Sequence, residues 1–247
     1  MNQLIKSLKK SETKQFTRWI RKTARLFGAD IVGIASVEKF EKAPKGFHPK
    51  DLMSDAKSVL VIGKYFPLGV LRGNSKAAVT KAYETLFIAL DQCAYRLSAF
   101  IENQGGQALP IPADVPYYYW DKKKQYGRGD LSHRHAAVLA GLGSLGKNAL
   151  LLTPDFGNRV NLSSVLTDVP LVENPPFERD LCIAECDLCL RSCPANALKG
   201  DGTVIQKECR KLHSITTEKG FKLFACWECR RVCPVQGNLL RKSNAKK

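Results

Sequence analysis

Long apolar runs are missing from this chain of 247 residues. No stretch approaches the roughly 20 residues that a bilayer-spanning helix needs, so a membrane protein is not expected. The opening segment, MNQLIKSLKK, has neither the apolar core of a secretory signal nor a twin arginine, which points to a reducing, cytoplasmic setting in which thiols stay free. Acidic residues are scarce: 23 stand against 39 lysines and arginines, for a formal charge of +16 and a pI near 9.5. Cysteine is almost absent from the first three quarters of the chain, where Cys93 stands alone in an apolar-periodic segment and reads as a small buried hydrophobe.

The other eight cysteines crowd the last quarter in two runs, Cys182-x3-Cys186-x2-Cys189-x3-Cys193-Pro194 and Cys209 followed by Cys226-x2-Cys229-x3-Cys233-Pro234. A Cys-x2-Cys pair turns two thiolates onto one centre, and the Cys-Pro that follows sends a further sulfur elsewhere. In two-cluster ferredoxins that last cysteine of each run ligates the cluster of the other run. By this rule one 4Fe-4S cluster takes Cys182, Cys186, Cys189 and Cys233, and a second takes Cys193, Cys209, Cys226 and Cys229. Zinc ribbons do not need paired Cys-x3-Cys-Pro endings, and disulfides need an oxidising compartment. The triplet Cys182-x3-Cys186-x2-Cys189 also matches the cluster loop of radical SAM enzymes, but those place it ahead of a barrel and leave the second run without a role. The spacing Cys182-x3-Cys186 is one residue longer than in ferredoxins, so Cys182 rests on the count of ligands more than on the spacing.

The positive charge has two readings. Arg191, Lys199, Lys207, Arg210, Lys211, Arg230 and Arg231 flank the cysteines and suit the docking of an acidic, low-potential electron donor such as a ferredoxin or flavodoxin. Lysines at 6, 9, 10, 14 and 122 to 124 would instead serve a nucleic acid.

Ahead of the cysteines the periodicity is regular. Phe16, Trp19, Ile20, Thr23 and Phe27 recur at helical spacing and stop at Gly28. Short apolar runs at Ile31 to Ala35, Ser58 to Tyr65, Leu109 to Ile111, Ala149 to Leu152 and Val160 to Val169 read as strands, the second of a kind that suits a buried position. A long helix is expected over 75 to 103, with Asn74 as cap and Gly105-Gly106 as stop. Ser132 caps another over His133 to Ala140. The segment 113 to 130 reads as an irregular, aromatic and basic loop, and a loop of that length is more often functional than idle. Helices and strands in alternation give an α/β (α+β) domain over 1–172, with Pro170 to Pro176 as linker into a cysteine-rich domain over 173–247.

Gly141-Leu-Gly143-Ser-Leu-Gly146 fits the dinucleotide pattern G-x-G-x-x-G, but it leaves a helix and enters a strand, the reverse of what that pattern requires. Gly146-Lys147 ends like a P-loop, yet position 148 is Asn where Ser or Thr must hold magnesium. What remains is a turn whose backbone can approach another group closely, either a tight helix-to-strand turn or the wall of a cofactor cleft.

Ser132-His-Arg-His-Ala136, Ala140-Gly-Leu-Gly-Ser-Leu-Gly-Lys-Asn148, Leu152-Thr-Pro-Asp-Phe-Gly157, Leu166-Thr-Asp168 and the two cysteine runs together resemble the epoxyqueuosine reductase family. They are also similar to the catalytic domain of respiratory reductive dehalogenases. The resemblance implies a nitroreductase-like sheet domain that binds cobalamin, followed by a small ferredoxin-like domain with two 4Fe-4S clusters. It implies a reductase in which the clusters pass single electrons to a base-off cobalamin, with a small molecule or a corrinoid as substrate. Ser132, Arg134, Gly141, Gly143, Gly146, Lys147 and Asn148 would then line the corrinoid cleft. A proton donor is sought in the aromatic loop at Tyr117 to Tyr119 or Tyr126, and at Asp130 or His133. Where the family has a D-x-x-P-x-x-E-R-like segment, this chain has Asp130-Leu-Ser-His-Arg-His. It also ends at Lys247 without the helical-repeat extension of many epoxyqueuosine reductases, which leads to the expectation of a short relative with another substrate. Two alternatives stay open, an electron-transfer or corrinoid-activating protein without its own substrate and a tRNA reductase of the epoxyqueuosine type.

Overall fold

A computed structural model describes residues 9–117 and 119–237; Lys6 and Tyr118, both singled out above, lie outside the described residues. Helix α1 (Lys10–Leu26) buries Phe16, Ile20, Thr23 and Ala24 on one face. It stops where expected, at Gly28, whose φ of +106° is one that only glycine takes without strain. Strand β1 (Ile31–Ser36), the short helix α2 (Pro49–Leu52) and strand β2 (Ser58–Tyr65) follow. A second short helix, α3 (Leu68–Arg72), leads into the long α4 (Lys76–Asn103). The cap of α4 is Ser75 and not Asn74: its Oγ accepts the Ala78 N–H at 3.1 Å. Cys93 lies in the core, where burial pushes its thiol up.

After β3 (Ala108–Ile111), the segment read as an irregular loop folds into a hairpin of β4 (Tyr119–Asp121) and β5 (Tyr126–Arg128). Helix α5 (His133–Leu139) then leads to β6 (Ser144–Leu145), β7 (Leu151–Leu152) and β8 (Val160–Thr167). The strand expected from Ala149 is shorter by two residues, because Ala149 turns at φ +60° and the Gly146 N–H closes the turn on Leu150 O at 2.9 Å.

The main sheet has the order β1-β2-β8-β3 with every pair antiparallel. Both of its faces are covered. Val32, Ile34, Leu60, Ile62 and Val165 meet α1 and α4, while Ile31, Ala35, Val59, Val61 and Leu166 meet the α5 side. This double burial explains why strands of an antiparallel sheet read as unbroken apolar runs.

The cysteine-rich part holds α6 (Leu188–Arg191), α7 (Gln206–His213), β9 (Ser214–Thr216), β10 (Lys222–Phe224) and α8 (Glu228–Arg231). The chain leading into it is tied down: Leu171 N–H donates to Ser58 Oγ at 2.9 Å, Val172 N–H to Thr17 Oγ1 at 3.0 Å, and Asn174 Oδ1 accepts from Arg21 and the Ile34 N–H. Phe224 stacks on Tyr83 of α4 with ring centres 4.6 Å apart, and Trp227 Nε1–H donates to Leu71 O. At the far end the two backbones touch. A Cβ on Gly157 would lie 2.1 Å from Val235 O, and one on Gly237 would lie 2.2 Å from Asp155 O. No helix among the described residues is long and apolar enough to cross a membrane.

Gly157→Ala should therefore lower stability by more than about 1 kcal/mol, since it adds both strain at positive φ and a backbone clash. Gly69→Ala, where a Cβ would meet nothing within 4 Å, should be close to neutral. Urea unfolding of the two variants side by side checks this.

Candidate functional site

The turn after α5 positions the cysteines. Lys147 Nζ donates to the carbonyls of Ala184 and Cys186, the latter at 3.0 Å, so it holds the first run. Asn148, buried beside it, donates from Nδ2 to Cys229 O at 3.1 Å and holds the second. Ser144 of β6 accepts the Leu181 N–H and donates to Asp180 Oδ1, which in turn accepts the Cys182 N–H at 2.9 Å. Cys182 is thereby fixed just before the cysteine loop begins.

Cys182, Cys186, Cys189 and Cys233 line one small cavity, closed on the sheet side by Lys147 and Asn148. Burial pushes the Cys189 thiol up, and Cys182 and Cys186 add to the effect. Burial likewise pushes Cys233 up to about 11, opposed by its contact with Val235 and reinforced by the same three thiols. Cys193, Cys209, Cys226 and Cys229 form a second group. There burial pushes Cys229 up to about 12; the neighbouring Arg230 charge opposes this, and Cys209, Cys226 and Cys193 reinforce it. Each set of four is thus close enough for the charge on one sulfur to act on the others. Among the described residues no three His, Cys, Asp or Glu side chains converge tightly enough to hold a single metal ion. The thiols ring a space instead of meeting at a point.

A second cavity, of about 700 Å³, opens on the other side of the same turn. Phe40, Leu131, Val138 and Leu139 give it an apolar floor; Lys39, Lys42, Arg128 and Arg134 bring positive charge, and no acidic residue among the described residues lines it. Arg128 is held among three rings, 5.1 Å from the centre of Phe47, 5.2 Å from Tyr126 and 5.4 Å from Tyr119. Gln206 of α7 exchanges two hydrogen bonds with Gly127, at 3.0 and 2.9 Å, and so ties the hairpin to the cysteine-rich part.

The residues expected at a corrinoid cleft are divided between these cavities. Ser132 and Arg134 line the large one, Gly146, Lys147 and Asn148 line the thiol cavity, and Leu145 between them faces the large one. Gly141 and Gly143 line neither: added Cβ atoms would strike Pro175 O and Leu152 O. Their bare backbone serves close packing within the chain.

The proton-donor candidates are divided too. Tyr126 lines the large cavity, Tyr119 stands edge-on to Phe47 at 6.0 Å, and Tyr117 receives a hydrogen bond from Arg210 at 3.3 Å. Asp130 is partly exposed and is not part of the cavity wall. His133 points the other way. Its Nε2–H donates to Pro112 O at 2.8 Å, which leaves Nδ1 to accept from Ser164 Oγ at 2.8 Å. His135, not among the candidates above, lines the cavity with Nδ1 2.6 Å from Ser132 Oγ. Burial and then Arg134 push His135 down, so it sits there mainly neutral. The i, i+3 spacing of Ser132 and His135 across the first turn of α5 is the signal that could have found it.

No protein-family model matches the chain. Epoxyqueuosine reductase from Bacillus anthracis is 27% identical over 251 residues, covering 85% of this chain and 62% of that protein. A reductive dehalogenase structure, described as suggesting a mechanism for B12-dependent dehalogenation, aligns over 97% of this chain with a TM-score of 0.73 at 20% identity, and covers 34% of its partner. An epoxyqueuosine reductase bound to an epoxyqueuosine-modified tRNA-Tyr stem loop aligns over 90% of this chain and 65% of its own, with a TM-score of 0.63 at 22% identity. The fold is that of epoxyqueuosine reductases and reductive dehalogenases. The chain spans 62% of the length of the Bacillus anthracis epoxyqueuosine reductase.

Burial pushes His133 below its ordinary value of about 6.5, with the Pro112 carbonyl and Asp91 acting in the opposite sense. The folded state then favours the neutral ring, so its contribution is complete above about pH 6.5 and is lost as pH falls below that value. The urea midpoint should drop between about pH 7.5 and 5.5. In His133→Gln the drop should be smaller but still present, because burial also lowers His135 and His213.

Proposed function

We propose that the chain is a cytoplasmic iron-sulfur reductase that passes electrons through two 4Fe-4S clusters to a cobalamin seated in the large cavity. One observation carries this reading: the turn at 144 to 148 is a wall common to the four-thiol cavity and the large cavity, through Lys147 and Asn148 on one side and Leu145 on the other. Electrons arriving at the Cys182 set would have only that turn to cross.

The donor sets fit the clusters. Burial raises Cys189 and Cys233 in one set and Cys209 and Cys229 in the other, so these thiols stay protonated unless a multivalent cationic core draws off their charge, and iron-sulfide cores bind thiolates in fours. A cobalamin, when bound, would supply the strongly reducing centre that protein side chains lack. The cavity has room for a bulky, partly apolar ligand: its volume lies in the range of about 300–1,000 Å³ usual for ligand pockets, and its floor is apolar. Arg128 and Arg134 would bind anionic groups of cofactor or substrate, and Arg128 is held rigid by its three rings. Tyr126 is the group at hand to deliver a proton, and neutral His135, its ring oriented by Ser132, is placed to take one up and relay it. The exposed cations Lys207, Arg210, Lys211, Lys219 and Lys222 surround the Cys209 helix and suit an acidic donor such as a ferredoxin or flavodoxin. With a cobalamin seated in this cavity, a small molecule is the substrate that the remaining space suits.

A tRNA substrate is the second reading. It is favoured by Lys122, Lys123 and Lys124, exposed on the hairpin whose other strand lines the cavity, and by the relative crystallised with a tRNA stem loop. If it holds, total tRNA binds with an affinity that falls steeply with salt. An electron carrier without a substrate of its own would load clusters and leave cobalamin unbound.

Anaerobic reconstitution should load about eight iron atoms per chain. Titration with hydroxocobalamin under reducing conditions should then change its visible spectrum. Val138→Trp, which fills the large cavity, should keep the iron and abolish that change. Cys182→Ser should lose the signal of one cluster; retention of both would remove Cys182 from the ligand set.

A further inference from the structure

Arg191 and Arg231 beside the cysteines are exposed and paired, with Asp187 and Glu228, each at 2.8 Å. Arg230 is different. It follows Cys229 on α8, is 6% exposed, and reaches under the sheet, where Nη2 donates to Asn161 Oδ1 of β8 at 3.0 Å. Its guanidinium carbon sits 5.9 Å from the centre of the Tyr83 ring. None of the ion pairs among the described residues includes it, and its Nη1 is the one buried arginine nitrogen there without a hydrogen-bond partner. Asn161 Nδ2 and Asn158 Oδ1, buried around it, are likewise unpartnered.

A guanidinium buried with no ion-pair partner among the described residues is costly unless another negative charge lies close by. The mere stapling of α8 to the sheet does not account for it, because the backbone carbonyl of Arg230 already does that by accepting from Asn158 Nδ2 at 2.8 Å. Arg159, the other deeply buried arginine nearby, spends its donors on Gln236 O and Phe66 O and raises no such question.

We infer that Arg230 is the internal counter-ion of the cluster held by Cys193, Cys209, Cys226 and Cys229, and that it sets the reduction potential of that cluster. The inference rests on the two-cluster reading above. Four thiolates contribute more negative charge than an oxidised iron-sulfide core cancels, and uptake of one electron from the external donor adds another. A fixed cation in a low-dielectric site gains more from the reduced cluster than from the oxidised one, and so raises the potential. Placed beside the second set, while Lys147 lines the cavity of the first, Arg230 makes the Cys209 cluster easier to reduce than it would be without that charge, and so a better entry point for electrons.

The test is an anaerobic redox titration of the reconstituted full chain, followed by EPR. The unaltered protein should show two one-electron transitions. In Arg230→Gln one transition should move to lower potential, with the reduced-to-oxidised ratio at fixed potential falling about tenfold, equivalent to about 59 mV. The other should stay in place, and Arg230→Lys should restore most of the shift. Asn161→Asp gives the guanidinium a carboxylate partner without removing it, and should move the same transition in the same direction. Two clusters whose potentials are unmoved in Arg230→Gln and Asn161→Asp, or that move together, would overturn the inference while leaving the two-cluster reading intact. An unaltered protein that shows no cluster transition overturns both.

Discussion

Two hydrogen bonds from consecutive residues hold the arrangement together. Lys147 reaches the Cys186 carbonyl of the first run, and Asn148 reaches the Cys229 carbonyl of the second. The donors grip backbone oxygens and leave the sulfurs free, as the proposed cluster ligation requires. Because both residues sit in a turn whose glycines press bare backbone against Leu152 and Pro175, the grip is transmitted to the strand β7 and to the chain entering the cysteine-rich part. This short turn, together with the Asn158 bond to Arg230 O that holds α8, positions both cysteine runs relative to the sheet.

The rest of the molecule gives the turn something rigid to stand on. A four-stranded sheet with both faces buried resists bending, and α4 extends from its core to the hairpin of β9 and β10, where Tyr83 meets Phe224. The positive charge is distributed with the same logic. Some of it lines the large cavity, some is exposed around α7, and one cation is buried beside Cys229.

What could be read from the residues alone was whatever is local or strongly periodic. The cysteine runs are legible because their spacing is a few bonds long, and the structure brings Cys182 to the same cavity as Cys186, Cys189 and Cys233 despite the extra residue before Cys186. Helices α1 and α4 and strands β2 and β8 are legible because burial repeats along them. The hairpin of β4 and β5 was not, since it leans on Gln206, far along the chain. The glycine turn was recognised as a place of close approach, but what approaches it, the backbone of Leu152 and Pro175, is settled by tertiary packing. His133 and His135 were the hardest to tell apart: two residues on a helix point in different directions, so one fills the sheet face and the other the cavity.

Strand β6 is only two residues long, paired through Ser144 with Leu152 and through Leu145 with Leu151. Leu145 lines the large cavity, while Ser144 before it bonds to Asp180 and Leu181 and Gly146 after it lines the thiol cavity. A slip of one residue would exchange the two walls, turning an apolar side chain onto the thiols and a polar one onto the cavity floor. The walls of the two cavities are in this sense a single strand register, so a residue added or removed between Ser144 and Asn148 would change both at once.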